Sequence, residues 1–262
     1  MAVSLFELFK AGIGPSSSHT VGPMEAARRF AGGLDDERLL ASVHRLKISL
    51  YGSLGATGKG HGTGPAVMMG LEGERPARID PEQMPGRLER IRSIETLCLA
   101  GQRLIRFRES SDIVYYRRKS LPEHPNGMVC QAFDEDGQCL CEHTYYSVGG
   151  GFVVAANADG SLEIRADDTP MPYPFNSGKA LLTLCQEHKL TIADIMLANE
   201  QAWRTPDDIR MGILELWRVM RECVQNGIRH EGELPGGLKV RRRAASLYRS
   251  LMDKTRVDLI SP

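Results

Sequence analysis

The sequence carries no excess of charge. Its 33 Lys and Arg residues balance 33 Asp and Glu, a formal net charge of zero. A general nucleic-acid or membrane-surface binder needs a basic excess, so neither partner class is expected. Long apolar runs are also missing, and none approaches the roughly 18–20 residues of a membrane span. The opening segment, Met1 to Leu8, has no basic stretch followed by an apolar one, so no secretory signal is expected and the location implied is cytoplasmic. Cysteines are few: positions 98, 130, 139, 141, 185 and 223. Only Cys139 and Cys141 are close, as Cys-x-Cys, and the spacings of zinc ribbons and fingers are absent. Reduced structural thiols are the expectation, with no metal ligands assigned among them.

What is present is a chain of 262 residues, 42% hydrophobic and 25% charged, enough for a packed core with an ordinary polar surface. Leu46, Ile48 and Leu50 alternate with Arg45, Lys47 and Ser49, the pattern of a half-buried strand over 43–50. Residues 103–107 and 113–116 read as further strands. The turn Pro125-Asn-Gly127 then leads into strands over 128–133 and 138–147, because Asn-Gly is a strong hairpin signal. Helices are expected from Pro23 to Phe30, stopped by Gly32-Gly33, from Pro65 to Leu71, and from Pro85 to Leu99. Beyond Gly149-Gly-Gly151 the period becomes helical. Thr191 opens one helix. Thr205-Pro-Asp-Asp208 opens another, whose apolar face is Ile209, Ile213, Leu216, Trp217, Met220 and Val224, ending at Asn226-Gly227. A last helix is expected from Val240 to Met252. The fold class is therefore an α+β N-terminal domain over 1–152, a linker over 153–174, and an all-α region over 175–262 that reads as the start of a larger helical domain.

Two loops concentrate the chemistry. Gly12-Ile-Gly-Pro-Ser-Ser-Ser-His-Thr20 carries four hydroxyls and an imidazole just before the helix of Pro23. Amide groups converge at such a helix start and favour an anion or carboxylate. The second loop, Gly52 to Gly64, follows the clear strand and precedes the Pro65 helix. It is not a Walker A loop: position 53 is Ser where glycine is required, and Gly60 stands where Ser or Thr must follow the lysine. It instead presents Lys59, His61 and Thr63 among glycines. A histidine so placed has little packing role and is a general-base candidate. Ser177-Gly-Lys179 lacks the glycine-rich cradle of a pyridoxal-phosphate lysine, and Arg241-Arg-Arg243 reads as a solvated face.

The two loops together resemble the bacterial iron–sulfur-dependent L-serine dehydratases (L-serine ammonia-lyases). The resemblance continues through Leu121-Pro-Glu-His-Pro-Asn-Gly-Met128, Thr144-Tyr-Tyr-Ser-Val-Gly-Gly-Gly-Phe152, Pro172-Tyr-Pro-Phe175 and Leu234-Pro-Gly-Gly-Leu238. It implies dehydration of L-serine to pyruvate and ammonia by a [4Fe–4S] cluster acting as Lewis acid, without pyridoxal phosphate. It implies His61 and His19 as catalytic residues and Ser16, Ser17, Ser18, Lys59 and Thr63 as substrate-binding ones. It also implies that the cluster cysteines lie outside this sequence, which then represents an N-terminal portion, inactive alone. A homodimer and a second chain carrying the cluster domain are both open as partners. The family loop ends in aspartate where this chain has Gly64, and an aspartate there is expected to accept the His61 N–H and raise its basicity. The competing reading is a serine-sensing module that binds without turnover.

Overall fold

The computed structural model describes residues 4–157, 161–162, 169–234 and 239–255. They fall into two compact units, one built on residues 12–164 and the other on residues 1–11, 165–234 and 240–262. A short helix, α1 (Leu5–Leu8), opens the chain and belongs to the second, helical unit. No helix among the described residues is long and apolar enough to cross a membrane.

The first unit holds a five-stranded sheet in the order β4-β1-β5-β6-β7. Its strands are β1 (Arg45–Tyr51), β4 (Ile113–Tyr116), β5 (Gly127–Phe133), β6 (Cys139–Gly149) and β7 (Phe152–Ala155). Only the β1–β4 pairing is parallel; the others are antiparallel. The alternation of β1 is real, with Leu46, Ile48 and Leu50 fully buried, but Ser49 on the other face is buried as well. This follows from β1 having strand neighbours on both sides. A separate hairpin pairs β2 (Thr96–Leu99) with β3 (Arg103–Arg106). Ala100 and Gly101, the first two of the three connecting residues, both have positive φ, 53° and 69°, which suits a tight turn.

The helices of this unit are α2 (Gly22–Asp36), α3 (Gly52–Thr57), α4 (Thr63–Leu71), α5 (Met84–Ile94) and the single turn α6 (Glu109–Asp112). Several depart from the sequence expectation. Helix α2 does not stop at Gly32-Gly33 but runs through both to Asp36. Burial of Ala31 and Leu34 holds the added turn, outweighing about 1 kcal/mol of propensity lost per glycine. Helix α5 ends at Ile94, five residues short of Leu99. Leu97 and Leu99 are fully buried while Cys98 is only half-buried, a strand alternation too short to stand out beside a helical period. Residues 153–155, read as linker, pair as part of β7 on the edge of the sheet. Other parts of that linker, residues 158–160 and 163–168, lie outside the described residues.

The helical unit contains α7 (Gly178–His188), α8 (Ile192–Glu200), α9 (Pro206–Arg229) and α10 (Ala244–Thr255). The expected N-caps are in place: the Thr191 hydroxyl accepts from the Asp194 amide, and the Thr205 hydroxyl from that of Asp208. Helix α9 continues past Asn226-Gly227 to Arg229, and α10 starts at Ala244 rather than Val240. Within this unit the buried Glu200 carboxylate accepts from the Ser4 hydroxyl (2.7 Å) and the Leu5 amide (2.8 Å) and pairs with Arg204.

The packing of α2 against α4 is close enough to require glycine. A Cβ at Gly70 would lie 2.2 Å from the Met24 carbonyl oxygen, whereas one at Gly32 would meet nothing within 4 Å. Gly70→Ala should therefore destabilise by about 1–3 kcal/mol, the usual cost of overpacking. Gly32→Ala should stabilise by up to about 1 kcal/mol, since glycine in a helix interior costs roughly that much. Urea unfolding midpoints of the two variants should move in opposite directions.

Candidate active site

The first loop is shaped by one π-helical turn, Ser17–Val21, that runs directly into α2. Ser16 caps it, its hydroxyl accepting from the His19 amide at 3.3 Å. The His19 ring is held at both nitrogens: Nδ1 is 2.9 Å from Ser18 Oγ and Nε2 is 2.9 Å from Ser53 Oγ, in the first turn of α3. A neutral imidazole has one N–H and one lone pair, so one of these serines donates and the other accepts. Ser16 Oγ lies 3.4 Å from Ser18 Oγ, which completes a line of hydroxyls and imidazole from Ser16 to Ser53. The His19 pKa is lowered, first by burial and then by the neighbouring His61, with the Ser53 contact opposing.

His61 lies in the turn between α3 and α4. Its Nδ1 is 3.0 Å from the Thr57 carbonyl oxygen. A carbonyl can only accept, so Nδ1 carries the proton and donates it, leaving Nε2 with a lone pair. The two imidazoles face one another with ring centroids 4.8 Å apart. Their backbones are tied crosswise. The Thr20 hydroxyl donates to the His61 carbonyl at 2.9 Å, and the Thr63 hydroxyl donates to the His19 carbonyl at 2.5 Å. Both threonines are buried. Gly62, with φ at 68°, turns the chain from His61 into α4.

The structure thus brings together His19, His61, Ser16 and Ser18, with the exposed Ser17 on the same turn. Thr63, expected to contact substrate, is fully buried and its hydroxyl is committed to the His19 carbonyl. That bond ties the start of α4 to the His19 loop. The Lys59 ammonium lies over the Tyr115 ring, 5.3 Å from its centroid. The expectation for position 64 also changes. That residue is buried, and a Cβ there would lie 2.6 Å from the Tyr115 hydroxyl and 3.0 Å from Glu109 Oε1. An aspartate would face a phenol and a second carboxylate, not His61, whose orienting acceptor is already the Thr57 carbonyl.

Some neighbours were not foreseen. Ser53 was passed over as part of a glycine-rich turn, although it sits two residues after the β1 strand end and touches His19. Its amide donates to the Pro125 carbonyl at 2.8 Å, which seats the loop on the 124–126 turn. Asn126 and Ser147 exchange two bonds, Nδ2 to the Ser147 carbonyl and the Ser147 amide to the Asn126 carbonyl, each 3.0 Å. The buried Asn126 Oδ1 and Ser147 Oγ have no hydrogen-bond partner, and Ser147 Oγ abuts Gly22 at the start of α2. The only sequence signal was their presence in the Pro-Asn-Gly turn and the Ser-Val-Gly-Gly-Gly run.

Since its folded pKa lies below the ordinary 6.5, His19 resists protonation in the folded state. The unfolded chain then binds a proton first as pH falls. The stability His19 contributes is complete above about pH 6.5 and is lost as pH drops through the folded value. Chemical unfolding measured between pH 8 and 5 should show this loss, and His19→Asn should flatten it.

A family model described as serine dehydratase beta chain matches residues 4–158, and one described as serine dehydratase alpha chain matches residues 187–261. The chain is 55% identical to L-serine dehydratase of Streptomyces coelicolor over 251 residues, 96% of this chain and 55% of that protein. It is 40% identical to L-serine dehydratase 1 of Escherichia coli over 257 residues, 98% of this chain and 56% of that one. It is 42% identical to L-serine dehydratase of Mycobacterium bovis over 248 residues, 95% and 53% respectively. The chain therefore spans about half the length of these relatives. The two loops, the paired histidines and the matches along nearly all of its length agree: this chain belongs to the bacterial serine dehydratase family.

Proposed function

We propose that this chain supplies the substrate-holding and proton-transfer part of an L-serine ammonia-lyase acting in the cytoplasm, and that it does not turn over alone. The observation that carries the reading is the His61 ring, oriented through Nδ1 by the Thr57 carbonyl, with its Nε2 lone pair free beside a neutral His19. His61 Nε2 removes the α-proton of L-serine. The electron pair left at Cα forms the double bond as the β-hydroxyl departs and takes up a proton returned by the His61 imidazolium, giving aminoacrylate and water. Aminoacrylate tautomerises to the imine, which water hydrolyses to pyruvate and ammonia. Ser16, Ser17 and Ser18, with the amides of their turn, receive the carboxylate and ammonium.

The cysteines described here do not suit the [4Fe–4S] cluster that the resemblance implies. Among the described residues no three His, Cys, Asp or Glu side chains come together as a metal site. Cys130 is fully buried in β5 and Cys141 of β6 lies opposite Ala132 of β5; burial pushes both thiols up, Cys141 to about 11, away from the thiolate that iron requires. Such a cluster would enter from other residues of the assembled enzyme. The helical unit supports this: Met211, Leu214, Trp217, Met220 and Val224 of α9 are more than half exposed. An apolar stripe of that extent on one helix asks for a packing partner. The remaining length of the relatives is the natural one.

In the complete enzyme, His61→Ala should lower kcat by about 10²–10⁴-fold, the usual worth of a general base. Ser17→Ala should act mainly on KM, as a contact made equally in ground and transition states does. A His61→Ala enzyme with unchanged kcat would overturn the assignment. Turnover by the 262-residue chain alone would overturn its partial role, and L-serine binding by that chain without any effect of added family partner domains would favour a sensor. Gly64→Asp should lower kcat/KM for L-serine at least about tenfold, because small displacements of the His61 turn are costly. An unchanged rate would show that the turn tolerates the added side chain, and a higher one that an aspartate there does serve His61.

A further inference from the structure

The turn that carries His61 is anchored at both ends on one side chain that the proton-transfer reading does not use. Tyr115 is the third residue of β4 and pairs with Leu50 of the parallel strand β1, which leads directly into the Gly52 turn. On one side of His61, the Lys59 ammonium lies over the Tyr115 ring, 5.3 Å from its centroid. On the other side, Gly64 approaches the Tyr115 hydroxyl so closely that a Cβ would stand 2.6 Å from it. Glu109 Oε1 borders the same point at 3.0 Å, and its other oxygen is held by Arg92 at 2.7 Å. Between these two contacts the chain leaves Tyr115, and the His61 ring turns toward His19.

We propose that Tyr115 is a positioning residue for His61: its ring face seats Lys59 and its hydroxyl seats Gly64, with the Glu109–Arg92 pair bordering the same point. Lys59 is thereby assigned to bracing the turn instead of to the substrate carboxylate, and Gly64 is required because the phenol occupies the place of a side chain. The phenol stays neutral throughout the working range, since burial and then the Glu109 charge push its pKa up to about 12. A cation over an aromatic face at an exposed site is a weak attraction, enough to bias the turn without freezing it. The catalytic consequence rests on His61 being the base; the geometric consequence does not.

The test therefore has two arms. In the chain itself, the imidazole of His19 reports where His61 sits, because the groups facing His19 are His61, Ser18 and Ser53, and His61 lowers its titration. Tyr115→Leu should move the His19 titration, followed by NMR, back toward 6.5, the ordinary value. Tyr115→Phe, which keeps the ring under Lys59, should move it less. Leu97→Ala, a buried loss in the β2–β3 hairpin, controls for destabilisation and should leave it in place. An unmoved His19 in folded Tyr115→Leu, or an equal shift in Leu97→Ala, overturns the proposal. If Tyr115→Leu does not fold, the exposed Lys59→Met takes its place, with a shift in the same direction expected and no shift again overturning it. In the complete enzyme, Tyr115→Leu should lower kcat about tenfold or more with KM within about twofold, and Tyr115→Phe should recover at least about threefold of that loss. A His19 shift with kcat unchanged upholds Tyr115 as the seat of the turn and overturns His61 as the base.

Discussion

Two threonine hydroxyls bind the site into one object. Thr20 follows His19 in the chain but grips the carbonyl of His61; Thr63 follows His61 but grips the carbonyl of His19. Because the bonds cross, neither loop can shift without breaking both. Each bond is worth only about 1 kcal/mol net, but a buried carbonyl left without its donor costs about 1–3 kcal/mol, so the pair acts as a latch. Behind it, the end of α4 packs closely on the start of α2, Gly70 against the Met24 carbonyl. The rings are then free to differ in role: His19 is held at both nitrogens, and His61 at one.

Much of this was legible in the sequence, and what was not has identifiable causes. The strands announced themselves by alternation, as in Leu46, Ile48 and Leu50, and the two loops by the density of glycine and hydroxyls around a histidine. The α+β region followed by helices is the architecture observed, and the family resemblance is upheld by the match along the chain. Helix α2 was cut short because Gly32-Gly33 is a local stop signal, while the burial that overrides it is tertiary. Strand β2 was absorbed into a helix because four residues carry too little period to show a change.

The two loops were legible in the sequence, but the wiring between them was not. A sequence shows that Thr63 is near His61; it does not show that its hydroxyl points at His19. Ser53 reaches His19 from 34 residues away, a contact that only the β1–α3 turn makes. Position 64 was judged by its distance in sequence from His61, yet the residue faces Tyr115 and Glu109 because α4 has already begun at Thr63. A helix sends successive side chains around its axis, so three residues of separation is no guide to direction once the helix starts.

The group that orients His61 is a main-chain carbonyl, and this has a consequence for variation. A carboxylate in that role would sit in one codon, open to loss by a single substitution and easily spotted as an acid near a histidine. The Thr57 carbonyl is common to every residue, so as far as this bond is concerned any side chain that keeps the α3 turn will serve. The tautomer of His61 is therefore inherited with the backbone path. Variants that disable it will be those that bend the turn, and they will be found at positions whose side chains never touch the ring.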